Sequence, residues 1–264
     1  MINLYISLLM AQIKGQMSYK KSFVLELIGY LVVNIIDLFV IYFIFLKFPS
    51  IKGWSMGEVY YLYGVASVSY AIAQLFAESL EKVPELIRTG EFDHFLIRPR
   101  SPILQIMPLS FRLNRIGRLI QGAIALSLAF PILQLELNCE KVMLFMIAVF
   151  SAVIVYFGLF LAGAAFCFWT IQSSEALNAF TYGGVELSKY PITIYRPWMR
   201  RLFLYIVPVG FVSYYPAIAF LEKSDPLGGP LWASYFSPVI AIIFAMVTWL
   251  FWKLGVNHYQ STGS

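Results

Sequence analysis

Apolar runs of about twenty residues recur along the chain, separated by shorter polar stretches that hold most of its charge. A helix of about 20 apolar residues spans the hydrocarbon core of a bilayer, and a backbone in lipid must satisfy its own hydrogen bonds. Several such runs in one chain therefore dictate a bundle of membrane-crossing helices. Composition agrees: 60% of the 264 residues are hydrophobic and 12% are charged, against about 25% charged in an ordinary soluble domain. So much apolar surface exceeds what one soluble core can hide. The expected fold is an all-α polytopic membrane protein, one domain over residues 1–264.

Apolar length and flanking charge place six spans near 23–46, 58–80, 116–135, 142–169, 202–221 and 232–252. Ahead of them, Ile2, Ile6, Leu9, Ile13 and Met17 recur at helical spacing while Asn3, Ser7, Gln12 and Lys14 fall on other faces. This pattern predicts an interfacial helix over 1–21, retained in the mature chain because no cleavable signal pattern precedes it. Six spans leave both ends on one side. That side collects Lys14, Lys20, Lys21, seven basic residues from Lys82 to Arg118, Lys189, Arg196, Arg200, Arg201 and Lys253, which is 15 of the 19 Lys and Arg. The positive-inside rule makes it cytoplasmic. The net charge of +5 thus reads as a topology signal rather than a nucleic-acid footprint. Cys139 and Cys167 make no disulfide or metal-site spacing.

The longest inside segment, 81–108, reads EKVPELIRTGEFDHFLIRPRSPILQIMP. Pro84 suits the first turn of a short helix, Glu85 and Arg88 its body and Gly90 its C′ position. Phe92, Phe95, Leu96 and Ile97 then sit among Glu91, Asp93, Arg98, Pro99 and Arg100. That mixture suits a docking surface for a partner protein and equally a loop lying on headgroups. Arg112, Arg115 and Arg118 recur every third residue on one face where span 3 enters the membrane, which reads as anionic-lipid anchoring, with substrate contact as the other reading.

Polar groups also interrupt the spans. Glu26, Asn34 and Asp37 lie in span 1, and Ser67, Gln74 and Glu78 form a stripe in span 2. Groups of this kind at membrane depth either bond across helices or line a substrate path, and Glu26 and Glu78 lie close enough to the inner face to be solvated. Pro208 and Pro216 interrupt span 5, allowing a kink or a re-entrant turn. No GxxxxGK[ST] run exists to hold a nucleotide, and no catalytic set can be assembled from the isolated His94 and His258.

The stretch from Arg88 to Pro99, RTGEFDHFLIRP, resembles a signature of permease subunits in the type-2 family of ATP-binding-cassette exporters, Arg-x-Gly-Glu-Phe/Leu-Asp followed by Leu-x-Arg-Pro. Lys189–Ala217 and Phe251–Ser264 are similar to the same family, in the same order. The resemblance implies a six-span permease that pairs with an identical or related permease and docks a cytoplasmic ATPase. ATP and magnesium would be bound by that ATPase, and the chain itself would hold no cofactor. It also implies that Pro84 through Arg100 is the coupling segment, and that the span 5 prolines mark a re-entrant break near the outer end. Substrates of related systems include drugs, antimicrobial peptides, lipids and glycans. The alternative is an ATP-independent transporter in which Glu26, Asp37 and Glu78 carry protons or ions.

Overall fold

In a computed structural model, which describes residues 2–170, 174–225, 227–229 and 231–260, the chain is a bundle of helices with no strand among the described residues. Helix α1 (Ile2–Ser18) breaks at Tyr19, and α2 (Lys20–Lys47) follows. Helix α3 (Met56–Ala77) starts in a capping box, where Ser55 accepts from the Glu58 amide and Glu58 accepts from the Ser55 amide. It runs on through a 3-10 turn into α4 (Val83–Arg88), with Pro84 in the first turn. Two short helices, α5 (Asp93–Leu96) and α6 (Pro102–Ile106), lead to α7 (Ile116–Leu133) and α8 (Cys139–Phe166). Then come α9 (Ser174–Ser188), α10 (Pro197–Arg201), α11 (Val209–Phe220) and α12 (Ser237–His258).

Among the described residues, five helical stretches are long and apolar enough to cross a membrane: Lys20–Lys47, Met56–Arg88, Leu113–Leu133, Cys139–Phe166 and Ser237–His258. A sixth arises if Pro197–Ile206 and Val209–Phe220, bent by 95°, count as one span. α3 forms the core. It packs against α7, α8 and α2, and Tyr61, Tyr63, Ala66 and Tyr70 on it are fully buried. The α3–α7 contact is close because two glycines sit in it: a Cβ on Gly122 would stand 2.9 Å from the Val68 backbone nitrogen, and one on Gly64 2.6 Å from Leu126. Small residues at such a seam let backbones approach and gain dispersion where lipid offers no hydrophobic drive.

The bundle has two ends. Lys20, Arg88, Ile116, Phe166 and His258 mark the near end. Phe92 packs there on Phe168, Trp252 and Tyr259. At the far end Lys223 bonds both Glu58 carboxylate oxygens at 2.8 Å and lies over the Trp54 ring, while Lys141 pairs with Glu222 at 2.8 Å.

The fifth crossing differs from the expected span at 202–221. α9 already packs on α3, α8 and α11. It ends with Ser188 against Tyr156, and the next residue, Lys189, reaches Tyr63 and Asp37. Tyr63 lies seven residues from the far-end start of α3, about 10 Å along the helix. α9 therefore climbs from the near end past the middle of the bundle. The chain then dips back: Val209 and Phe203 sit level with Gly184, and α11 returns to the far end, where Tyr214 packs on Trp54 and Tyr61 stacks on Phe220. A π turn over Leu202–Ile206 and the Val207–Pro208 corner make the bend, as expected where proline removes a ladder hydrogen bond. Lys189, Arg196, Arg200 and Arg201 consequently do not form a near-end loop. Lys189 is buried beside Tyr63 and Asp37, and Arg200 leads into the bend whose Phe203 packs level with Gly184. Eleven of the 19 basic residues remain at the near end.

Candidate coupling surface and membrane-depth polar network

At the near end, residues 83–106 fold back onto the bundle. Gly90 (φ +74°) takes the left-handed conformation that ends α4, which glycine adopts without steric cost. Its reversal swings Phe92 inward, fully buried among Phe168, Trp252 and Tyr259. Gln105 donates to the Phe95 carbonyl at 3.0 Å and the Arg100 carbonyl at 3.1 Å, closing the turn that contains Arg98 and Pro99. Ser79 donates to the Met107 carbonyl at 2.6 Å and accepts from the Ser110 amide. The segment is thus a built element rather than a tether.

Its outer face carries Glu85, Arg88, Glu91, Arg98, Pro99 and Arg100, all exposed, around Leu96 and an Ile97 that is 79% exposed. Pro84, Asp93 and Phe95 are half-buried at the edge. Phe92 departs from its expected place on the docking surface. It belongs to the chain's own core, because three aromatic rings from α12 and the end of α8 enclose it.

The arginine face at the start of α7 also departs from expectation. Arg115 lies inward: its Nη2 donates to Glu78 Oε1 at 2.6 Å and its Nε to Oε2 at 2.9 Å, with Nη1 on the Tyr30 hydroxyl at 3.2 Å. Glu78, expected to be solvated, is 6% exposed. Arg118 lies over the Tyr70 ring at 4.8 Å, and its buried Nε and Nη1 have no hydrogen-bond partner among the described residues. Only Arg112 keeps the outward position that lipid anchoring needs, 3.8 Å from Glu78. A bidentate carboxylate partner outweighs solvation for a guanidinium entering lipid. Gln74, one turn above Glu78, is fully buried, and neither polar atom of its side chain has a partner among the described residues.

Deeper in, the structure joins span 1 to span 2 through α7 and α9. Tyr63 donates to Asp37 Oδ2 at 3.1 Å, and Gln121 donates to both the Tyr63 hydroxyl and the Asn34 carbonyl. Lys189 reaches Asp37 at 3.4 Å and Glu186 at 2.5 Å. Glu26 accepts from Asn114 at 2.6 Å. Glu186 and Lys189 escaped the sequence reading because they were assigned to a loop. The clue available was their i, i+3 spacing, which lets opposite charges pair along one helix face.

No curated protein matches the chain. A family described as "ABC-2 family transporter protein" matches residues 31–263, a range that takes in α3 to α12 and all but the start of α2, hence the near-end segment 83–106 and the contacts among Asn34, Asp37, Tyr63, Gln121 and Lys189. With its bundle of membrane-length helices, the chain belongs to the ABC-2 family of transporter proteins, as a multi-pass permease.

Proposed function

We propose that this chain is the permease of an ATP-driven exporter, paired with a second, identical or paralogous permease and coupled to cytoplasmic ATPase subunits that bind ATP and magnesium. The observation that carries this reading is the near-end segment: a rigidly packed element whose outer face mixes acidic, basic and exposed apolar groups around Ile97. Interfaces combine such apolar anchors with a charged rim. The positive-inside rule puts the same end in the cytoplasm, with both termini, since eleven basic residues remain there. There, α1 lies along the interface, tied to the bundle by Gln16, which accepts from the Leu113 amide at 2.9 Å.

The segment carries force because it is continuous with α3 through α4 and locked to α12 through Phe92. Closure of two ATPase subunits beneath it would move both elements together, and with them the polar network on α3. Ile97→Asp with Glu91→Lys tests the assignment, since both side chains are exposed and the fold does not depend on them. Co-purification with the cognate ATPase is expected to fall about tenfold or more, while membrane insertion stays unchanged. Undiminished complex formation by this double variant would sink the docking assignment.

A further inference from the structure

A polar stripe runs along α3 and the turn that follows it. Tyr63, Ser67, Tyr70, Gln74 and Glu78 recur every three or four residues, which puts them on one helix face, and none is more than 6% exposed. Four of them meet α7 or the residue just ahead of it. Gln121 donates to the Tyr63 hydroxyl, a Cβ on Gly122 would stand 3.1 Å from Ser67, Arg118 lies over the Tyr70 ring at 4.8 Å, and Arg115 bonds Glu78. The last three contacts run antiparallel, so Gln74 stands opposite the stretch from Arg115 to Arg118.

That part of the seam is short of acceptors and of negative charge. Nε and Nη1 of Arg118, both polar atoms of Gln74 and the Ser67 hydroxyl are buried with no hydrogen-bond partner among the described residues. The nearby carboxylates are engaged elsewhere: Arg115 takes both Glu78 oxygens with Arg112 3.8 Å away, Glu26 accepts from Asn114, and Glu81 accepts from Tyr182. Arg118 has two rings beside it instead, Tyr70 and, at 5.9 Å, Tyr30. Rings attract a cation without neutralising it, and a buried donor left unbonded keeps its full desolvation cost. A water would serve the donors and leave the charge. A small anion serves both, because Arg118, Gln74 and Ser67 all donate and Gln74 Oε1 can accept one arginine N–H. The seam sets the size of the ion. One turn from Arg118 the backbones come so close that a Cβ on Gly122 would stand 2.9 Å from the Val68 nitrogen, which favours a monatomic ion over a lipid phosphate. Arg118 as a whole is half-buried, which gives such an ion a way in.

We infer that Arg118, Gln74 and Ser67 form a binding site for a halide-sized anion, chloride in physiological salt, inside the α3–α7 seam. The bound ion ties α7 to α3 just before α3 passes into the turn that leads to α4. Binding needs neither an ATPase nor a second permease, so its failure leaves the export reading standing. The test uses the full chain in phosphatidylcholine nanodiscs, with sodium gluconate replaced stepwise by sodium chloride at constant ionic strength and thermal unfolding as the readout. A ligand of the folded state raises the midpoint, by about 3–5 °C at about ten times its dissociation constant for a chain of this size. Arg118→Gln removes the charge and is expected to abolish the shift. Gln74→Leu keeps the volume and the charge but removes the amide donors, and is expected to raise the half-saturating chloride concentration about threefold or more. It keeps the test readable if the arginine variant folds poorly. A midpoint indifferent to chloride, as a water-filled seam would give, overturns the inference. So does a rise that never saturates, which is a general salt effect, or a shift undiminished in either variant.

Discussion

Glu78 and Arg115 are separated by 37 residues in sequence and joined by two hydrogen bonds in space. Both sit where α3 and α7 enter the bundle, and each side chain is largely withdrawn from solvent. Removing one member of a buried pair strands the other and costs about 3 kcal/mol or more. Glu78→Gln should therefore lower the thermal unfolding midpoint in a fixed lipid. The exchange Glu78→Arg with Arg115→Glu should recover part of that loss, and no recovery would show that the pair is not the source. The spacing of Arg112, Arg115 and Arg118 suggested one helix face, but Arg112 is extended and α7 begins only at Ile116, so of the three Arg118 alone lies in that helix. The inward turn of Arg115 depends on a carboxylate from another helix, and no local pattern reports that. The same limit hid Lys189: a lysine beside apolar residues reads as a topology signal until Asp37, 152 residues earlier, is found next to it.

At the scale of elements, the long apolar helices were legible because lipid demands length and hydropathy of each one separately. α9 was not, since Ser174–Ser188 contains Glu175, Asn178, Thr181 and Glu186 and fails any test of apolar length. It climbs the bundle packed on α3, α8 and α11. The short helix after Pro84 and its glycine stop were legible from turn chemistry alone, whereas the burial of Phe92 needed α12. The α3–α7 seam makes a second prediction. Gly122→Val should cost about 1–3 kcal/mol by pushing against the Val68 backbone, read as a lower unfolding midpoint. Gly183→Ala, with nothing within 4 Å of the new carbon, should leave the midpoint unchanged or slightly raised. Equal destabilisation by both would mean that the close approach at Gly122 is not what sets its cost.

Across the whole molecule, five membrane-length stretches stand among the described residues, or six with the bent pair, and the climb of α9 followed by a hairpin that dips and returns leaves α12 running from the far end to the near one. The basic residues that this climb removes from the near end leave the bias pointing the same way. This topology makes a labelling prediction that uses a native group. Cys139 is exposed at the far end and Cys167 is buried near the other. A membrane-impermeant maleimide should label Cys139 in intact cells, and an introduced Ile97→Cys only after permeabilisation. Labelling of Ile97→Cys from outside would invert the assigned orientation and place the docking surface beyond the reach of any cytoplasmic ATPase.

The aromatic lock around Phe92 also bears on how the protein is made. Its partners Trp252 and Tyr259 lie roughly 160 residues further along the chain, a gap of on the order of ten to thirty seconds of synthesis. Until they arrive, Phe92 has only Phe168 of its three ring partners, and the outward face of the segment from Val83 to Ile106 is incompletely held. A cytoplasmic partner that recognises that face would therefore engage finished permeases and ignore nascent ones, so the last helix acts as the chain's own certificate of completion.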